Sequence, residues 1–170
     1  MTRRVFYSFY YEADNWRAAQ VRNIGSIEGN RPATDNDWET VKRGGSRTIQ
    51  NWIAGQMSSR TCTVVLVGEN TAGRAWISYE IRKSWNARRG VAGIHIHGLK
   101  DQNGLTSRAG CSPFADIMLR NSGLVLSHIV KCYNPYGRNN KEAYDWISDH
   151  IANIAEEAIE IRNSYNRLLP

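Results

Sequence analysis

Seven residues, 61–67 (Thr-Cys-Thr-Val-Val-Leu-Val), restrict the fold of this chain more than any other stretch. They are nearly all apolar or β-branched and are closed off by Gly68, a run too short for a buried helix. A strand with no polar side must be covered on both faces, the condition of a central strand in a parallel sheet. Residues 4–10 (RVFYSFY), 91–97 (VAGIHIH) and 124–132 also read as strands. Helical spacing fills the gaps. Asp14 stands as the N-cap of a first helix whose apolar face is Trp16, Ala19, Val21 and Ile24. Ser46 opens a second through Ile49, Trp52, Ile53 and Met57. A third covers 75–88 with Trp76, Ile77, Ile81 and Trp85 inward and Thr71 as its cap, and a long fourth runs over 139–168. Residues 25–45 are polar, with room for one short strand or helix, and 98–123 are irregular apart from a helical turn at 114–119.

Strands alternating with helices predict an α/β fold: a flavodoxin-like, doubly wound parallel sheet of about five strands, helices on both faces, in one domain over 1–170. Ligands of such sheets bind beyond the carboxyl ends of the strands. The search therefore narrows to the positions after Tyr10, Val67 and His97 and to the 25–45 loop.

Charge and cysteine content trim the function classes. Lys and Arg total 22 against 16 acids, a net charge of +6 that invites an anionic partner. The arginines are dispersed rather than gathered in an arm, so no specific nucleic acid is expected. Cys62, Cys111 and Cys132 are too widely spaced for a disulfide framework or a metal knuckle, and suggest a reducing compartment. No apolar run approaches the ~18–20 residues of a bilayer crossing. The chain starts directly in strand-like sequence without a leader-like cleavage site, and a cytoplasmic location without membrane attachment is the expectation.

Glu80 is the leading candidate for chemistry. It lies one turn beyond Trp76, at the border of the stripe set by Ile77 and Ile81, where a carboxylate faces both core and cleft. The plainer reading is a solvated helix glutamate paired with Arg82 or Lys83. His95 and His97 share one strand face, but only Asp101 is near enough in sequence to help them, so no metal site is expected. His128 and His150 read as structural. The chain has no G-x-G-x-x-G, no P-loop lysine and no G-x-S-x-G, which weakens dinucleotide-fold dehydrogenases, phosphoryl transfer and serine hydrolysis. Tyr144, Ile147, Ile151, Ile154, Ala158, Ile161, Tyr165 and Leu168 line the last helix. Its first half is read as packing on the sheet, and the part after Ile154 is open to self-association.

Several of these segments together resemble a known family. Phe6-Tyr7-Ser8-Phe9 followed by Asp14 looks like the first box of TIR domains, and Trp76-Ile77-Ser78-Tyr79-Glu80-Ile81 resembles the W-x-x-x-E segment of NAD-consuming members. With Asp37-Trp38-Glu39, the Val64–Gly68 strand end and Ile94-His95-Ile96-His97, the order is similar to the TIR-like proteins of the bacterial Thoeris anti-phage system, the ThsB family. The resemblance spans about 4–135 and departs from many animal and plant TIR domains in the 25–45 region.

That resemblance implies a TIR-type NAD+ hydrolase/cyclase. Such an enzyme cleaves the nicotinamide–ribose bond and makes a cyclic ADP-ribose isomer, a diffusible signal that activates a separate, ThsA-like effector during phage infection. NAD+ is then the substrate, with no cofactor, an unidentified phage component is the trigger, and a homo-oligomer is open. Glu80 takes the family glutamate's place as catalytic residue. Ser8, Phe9, Tyr10, Trp38 and Trp76 are the expected substrate-binding residues, and 25–45 and 98–123 are candidate lids. The alternative from another class is a non-catalytic TIR-like interaction module. A receiver-like domain is disfavoured, because Glu12 and Asp14 are separated by Ala13 and set off from the strand end.

Overall fold

The computed structural model describes residues 2–30, 40–120 and 122–166. Its elements are β1 (Arg3–Ser8), α1 (Tyr11–Arg22), β2 (Ile27–Glu28), α2 (Ser46–Met57), β3 (Cys62–Val67), α3 (Ala75–Asn86), β4 (Gly90–His95), a 3-10 turn (Leu126–His128), β5 (Cys132–Tyr133) and α4 (Asn140–Asn163). The five strands form one sheet in the order β2-β1-β3-β4-β5, every pair parallel. This is the flavodoxin-like order the alternation predicted. β3 lies at its centre with all six residues buried, as a strand sandwiched between two helical layers must be.

The period-2 alternation of the strands sorts the core into two sides. Val5, Tyr7, Cys62, Val64, Leu66 and Ile94 face α1 and α4, joined by Val21, Ile147, Ile151 and Ile154. On the opposite side Val65, Val67 and Val91 meet Ile77, Ile81 and Trp85 of α3, while Phe6 meets Ile49, Ile53 and Met57 of α2. Ser8, two residues beyond Phe6, therefore points toward the α2–α3 layer. Beyond the two-residue β2, the backbone N–H of Tyr7 donates to Oδ1 of the buried Asn30 at 2.9 Å. A side chain thus stands in for the missing strand.

α4 crosses β4 so closely that a Cβ on Gly90 would lie 2.6 Å from the Ile159 backbone nitrogen. Main chain cannot swing aside as a side-chain tip can. Gly90→Ala is therefore expected to cost about 1–3 kcal/mol in urea unfolding with an unchanged m-value. A loss within a few tenths would show that the helix rides freely over the strand.

Six sequence expectations are corrected. Asp14 is no cap: the helix begins at Tyr11 with Tyr10 as N-cap, and Asp14 is buried one turn in, paired at 3.0 Å with the buried Arg17. The inward face of α1 is Asp14, Arg17, Ala18 and Val21, whereas Trp16 and Ala19 face out. A strong local polarity rule is overridden by tertiary partners, because Arg17 reaches the carbonyls of Leu99 and Leu105. Thr71 caps no helix, since its Oγ1 accepts from the Gly68 N–H at 2.8 Å and Arg74 is the N-cap of α3. Residues 114–119 hold turns and one bridge, Met118 to Val125, rather than helix. The 124–132 strand contracts to β5 preceded by the 3-10 turn, its apolar residues Leu126, Ile129 and Val130 being buried in a loop.

The last correction concerns α4, which ends at Asn163, with Leu168 outside the described residues. Beyond Ile154 the apolar stripe packs within the chain itself. Ala155, Ala158 and Arg162 are buried, and Arg162 donates from Nε to the Trp85 carbonyl at 2.8 Å while its guanidinium covers the Trp85 ring. No helix of the described residues is long and apolar enough to cross a membrane.

Candidate active site: a buried carboxylate at the switch point

In a 2-1-3-4-5 sheet the chain leaves β1 in one direction and β3 in the other, which opens a crevice above their carboxyl ends. β1 ends at Ser8, with register partner Val65, and α3 follows β3, so both elements deliver residues to that crevice. On α3 the inward stripe is Ile77, Glu80, Ile81, Ser84 and Trp85. Its two polar members meet polar groups on the sheet. Ser84 Oγ lies 2.6 Å from Thr63 Oγ1, and one turn earlier the Ser8 hydroxyl donates a short hydrogen bond to Glu80 Oε2.

Glu80 is thus within the stripe rather than at its border, and only 8% exposed. Removal from water pushes its carboxyl from 4.5 up to about 8, a rise that the Ser8 hydrogen bond opposes. Burial dominates because a single hydroxyl replaces much less than a hydration shell.

A cavity of about 290 Å³ opens over this carboxylate, lined by Phe9, Tyr10, Trp76 and Ile77 together with Tyr11, Glu12, Lys42, Arg74 and Ala75. A smaller void of about 50 Å³ lies on the other side of Phe9 and Tyr11, bounded by Phe6, Arg22 and Trp52, and Glu80 borders both. The walls are fixed by aromatic contacts. Trp76 meets Tyr79 edge-on with ring centroids 5.4 Å apart, Phe9 lies 6.2 Å from Tyr11, and the Arg22 guanidinium sits 4.8 Å over Phe9.

The fold brings together Glu80, Ser8, Phe9, Tyr10 and Trp76, five of the six residues singled out from sequence. Trp38 lies outside the described residues, as do Asp37 and Glu39. Lys42, Glu12 and Arg74 at this cavity, and Arg22 at the smaller void, were not foreseen. Glu12 and Arg74 stand at helix starts, where charge is ordinary, so no local signal set them apart.

The histidine pair lies elsewhere. His95 and His97 meet edge-on at 5.7 Å, and Cys132 Sγ approaches His95 Nε2 at 3.5 Å. Burial holds both imidazoles below their usual range and pushes the Cys132 thiol up to about 11. Asp101 pairs with Arg17 instead, at 3.8 Å. Among the described residues no three His, Cys, Asp or Glu side chains converge as metal ligands would. His128 and His150 are exposed, the latter stacked on Trp146.

Fold and crevice define a class: a doubly wound α/β protein that presents one desolvated carboxylate at the floor of an aromatic-walled cleft. Residues 6–101 match the family model of the Thoeris protein ThsB, TIR-like domain. The chain is also 34% identical over 119 residues to a protein of Bacillus cereus (strain MSX-D12) named "Putative cyclic ADP-D-ribose synthase ThsB1". That alignment covers 67% of this chain and 62% of the relative. The chain belongs to the Thoeris ThsB family of TIR-like proteins.

Proposed function

We propose that the protein is an NAD+ glycohydrolase/cyclase that breaks the nicotinamide–ribose bond at Glu80 and releases a cyclic ADP-ribose isomer. The observation that carries this reading is the burial of Glu80 at the floor of the cavity, with Ser8 as its hydrogen-bond donor. The name borne by the Bacillus cereus relative agrees with it.

A single carboxylate suffices for this reaction. Glycosidases that expel an alkoxide employ a second carboxyl as proton donor. The nicotinamide of NAD+ departs differently: the electron pair of the C1′–N bond returns to a cationic ring, which leaves neutral and needs no proton. The ribosyl cation that remains is stabilised by an anionic Glu80, whose pull on positive charge is strong in a dry site. Phe9, Tyr10 and Trp76 supply faces for the nicotinamide, and Trp38 is a further candidate. Capture of the ribosyl cation by another atom of the same nucleotide closes a ring, and capture by water gives ADP-ribose.

In the empty cavity near neutral pH Glu80 holds its proton, since its carboxyl titrates at about 8. Entry of the cationic nicotinamide ring lowers that value, so substrate binding itself favours the reactive anion. The acid limb of the kcat/KM profile, which reports free enzyme, is expected near pH 8, and that of kcat well below it. Ser8→Ala, which removes the hydrogen bond opposing the shift, moves the kcat/KM limb alkaline by about one unit. An unmoved limb would assign the titration to another group.

The released nucleotide is proposed to diffuse to a separate effector of the Thoeris system during phage infection, in the bacterial cytoplasm. Incubation with NAD+, with and without lysate from infected cells, tests the whole reading by nicotinamide release and the mass of the nucleotide product. Absence of both products with and without the lysate overturns it in favour of an interaction module.

A further inference from the structure

Arg74 stands at the mouth of the Glu80 cavity and has no part in the chemistry above. Its guanidinium lies 3.6 Å over the Tyr10 ring, and its Nε donates to the Asn70 carbonyl at 3.0 Å. A guanidinium held over a ring and anchored through Nε has its two terminal nitrogens on the edge away from that anchor, the fork that fits a phosphate. Arg74 is also the N-cap of α3, and its side chain caps none of the first-turn N–H groups. That turn carries no acidic residue, and its members Ala75, Trp76 and Ile77 line the cavity. The positive end of the helix dipole therefore adds to the arginine.

Among the described residues the other charges at the rim cancel. Lys42 Nζ and Glu12 Oε1 pair at 3.0 Å, and the Tyr10 hydroxyl donates to the same carboxylate at 3.0 Å. Among the described residues the surplus at the mouth is one positive charge, and Arg74 lies close enough to Glu12 to help Lys42 hold that carboxyl below its usual range. At about 290 Å³ the cavity lies at the small end of the ~300–1,000 Å³ range of ligand sites, so it takes one end of a dinucleotide and leaves the rest at the rim.

We propose that Arg74 receives the phosphate groups of the substrate, fixing its direction so that the ribosyl–nicotinamide bond lies over Glu80. This inference rests on the NAD+ reading for the identity of the substrate and adds the residue that orients it.

Arg74→Gln keeps a donor for the Asn70 carbonyl but removes the charge. It is expected to raise KM for NAD+ about tenfold or more, with kcat held within about threefold. In the Glu80→Gln background, affinity for ADP-ribose in titration calorimetry falls by a similar factor. Arg74→Lys restores part of the loss, and the KM of the wild type rises with salt more steeply than that of Arg74→Gln. Nicotinamide riboside, which has no phosphate, separates binding from scaffolding: its kcat/KM changes by less than about twofold. The proposal is overturned if KM for NAD+ and ADP-ribose affinity stay within twofold, or if nicotinamide riboside suffers as much as NAD+. Arg74-dependent ADP-ribose binding by a wild type that leaves NAD+ intact would uphold the phosphate site and refute the glycosidic reaction.

Discussion

Glu80→Gln is expected to lower the proposed NAD+ consumption by about 10³-fold or more, while the protein still folds and is more stable than the wild type at alkaline pH. The first effect follows because glutamine keeps the size of the side chain and a partner for Ser8 but has no charge to oppose the ribosyl cation. The second follows from linkage. The folded carboxyl titrates at about 8 and the unfolded one near 4.5, so between these values the folded state holds a proton that the unfolded state has lost. The wild type must then lose stability as pH rises from about 4.5 to 8 and level off above. The variant has no such slope: equal to the wild type near pH 5, it exceeds it by a few kcal/mol at pH 9, or several degrees in Tm. Nicotinamide release and thermal melts across pH check both halves. Retained turnover would remove Glu80 from the chemistry, and parallel melting curves would contradict its burial as a carboxylate.

Arg17→Met lowers stability by about 3–5 kcal/mol, near 10 °C in Tm, the largest loss expected from any single side chain discussed. Arg17 is 5% exposed and donates to Asp14 Oδ1 at 3.0 Å, to the Leu99 carbonyl at 2.9 Å and to the Leu105 carbonyl at 3.0 Å. Its loss takes the Arg17 donor from the Leu99 carbonyl, leaves the Leu105 carbonyl with only the Asp101 N–H, and strands Asp14, whose Oδ2 has no hydrogen-bond partner among the described residues. Burial raises the Asp14 carboxyl and Arg17 draws it down, so without Arg17 it rises further. The deficit of the variant accordingly grows as pH climbs through the carboxylate range. Adding Asp14→Asn recovers part of it, a coupling that a double-mutant cycle in urea measures directly. A change below about 1 kcal/mol would mean that Arg17 is only a surface tether.

Glu80 and Asp14 show where sequence reading succeeds and fails. Glu80 was singled out because Ile77 and Ile81 beside it repeat at helical spacing, but spacing alone left a solvated glutamate as the plainer reading, and its role came from the resemblance of Trp76–Ile81 to a W-x-x-x-E segment. Its depth was missed, since the donor that makes burial tolerable is Ser8, 72 positions away. Asp14 was misplaced for the same reason. An aspartate near a helix start is ordinarily a cap, and only carbonyls from a loop some 85 residues later turn Asp14 and Arg17 inward and leave Trp16 outside. Arg74 gave no signal, because a lone arginine before a helix becomes distinctive only when Tyr10 lies beneath it.

By itself the sequence determined the periodicities: an apolar run with no polar face at 62–67, strand and helix in alternation, and a tryptophan and a glutamate one helical turn apart. Those are properties of neighbours along the chain, and they suffice for a parallel sheet with helices on both sides. The tertiary structure decided which polar groups lose water together. Desolvation depends on residues far apart in sequence meeting over β1 and α3, and that meeting turns an ordinary glutamate into a carboxyl titrating at about 8.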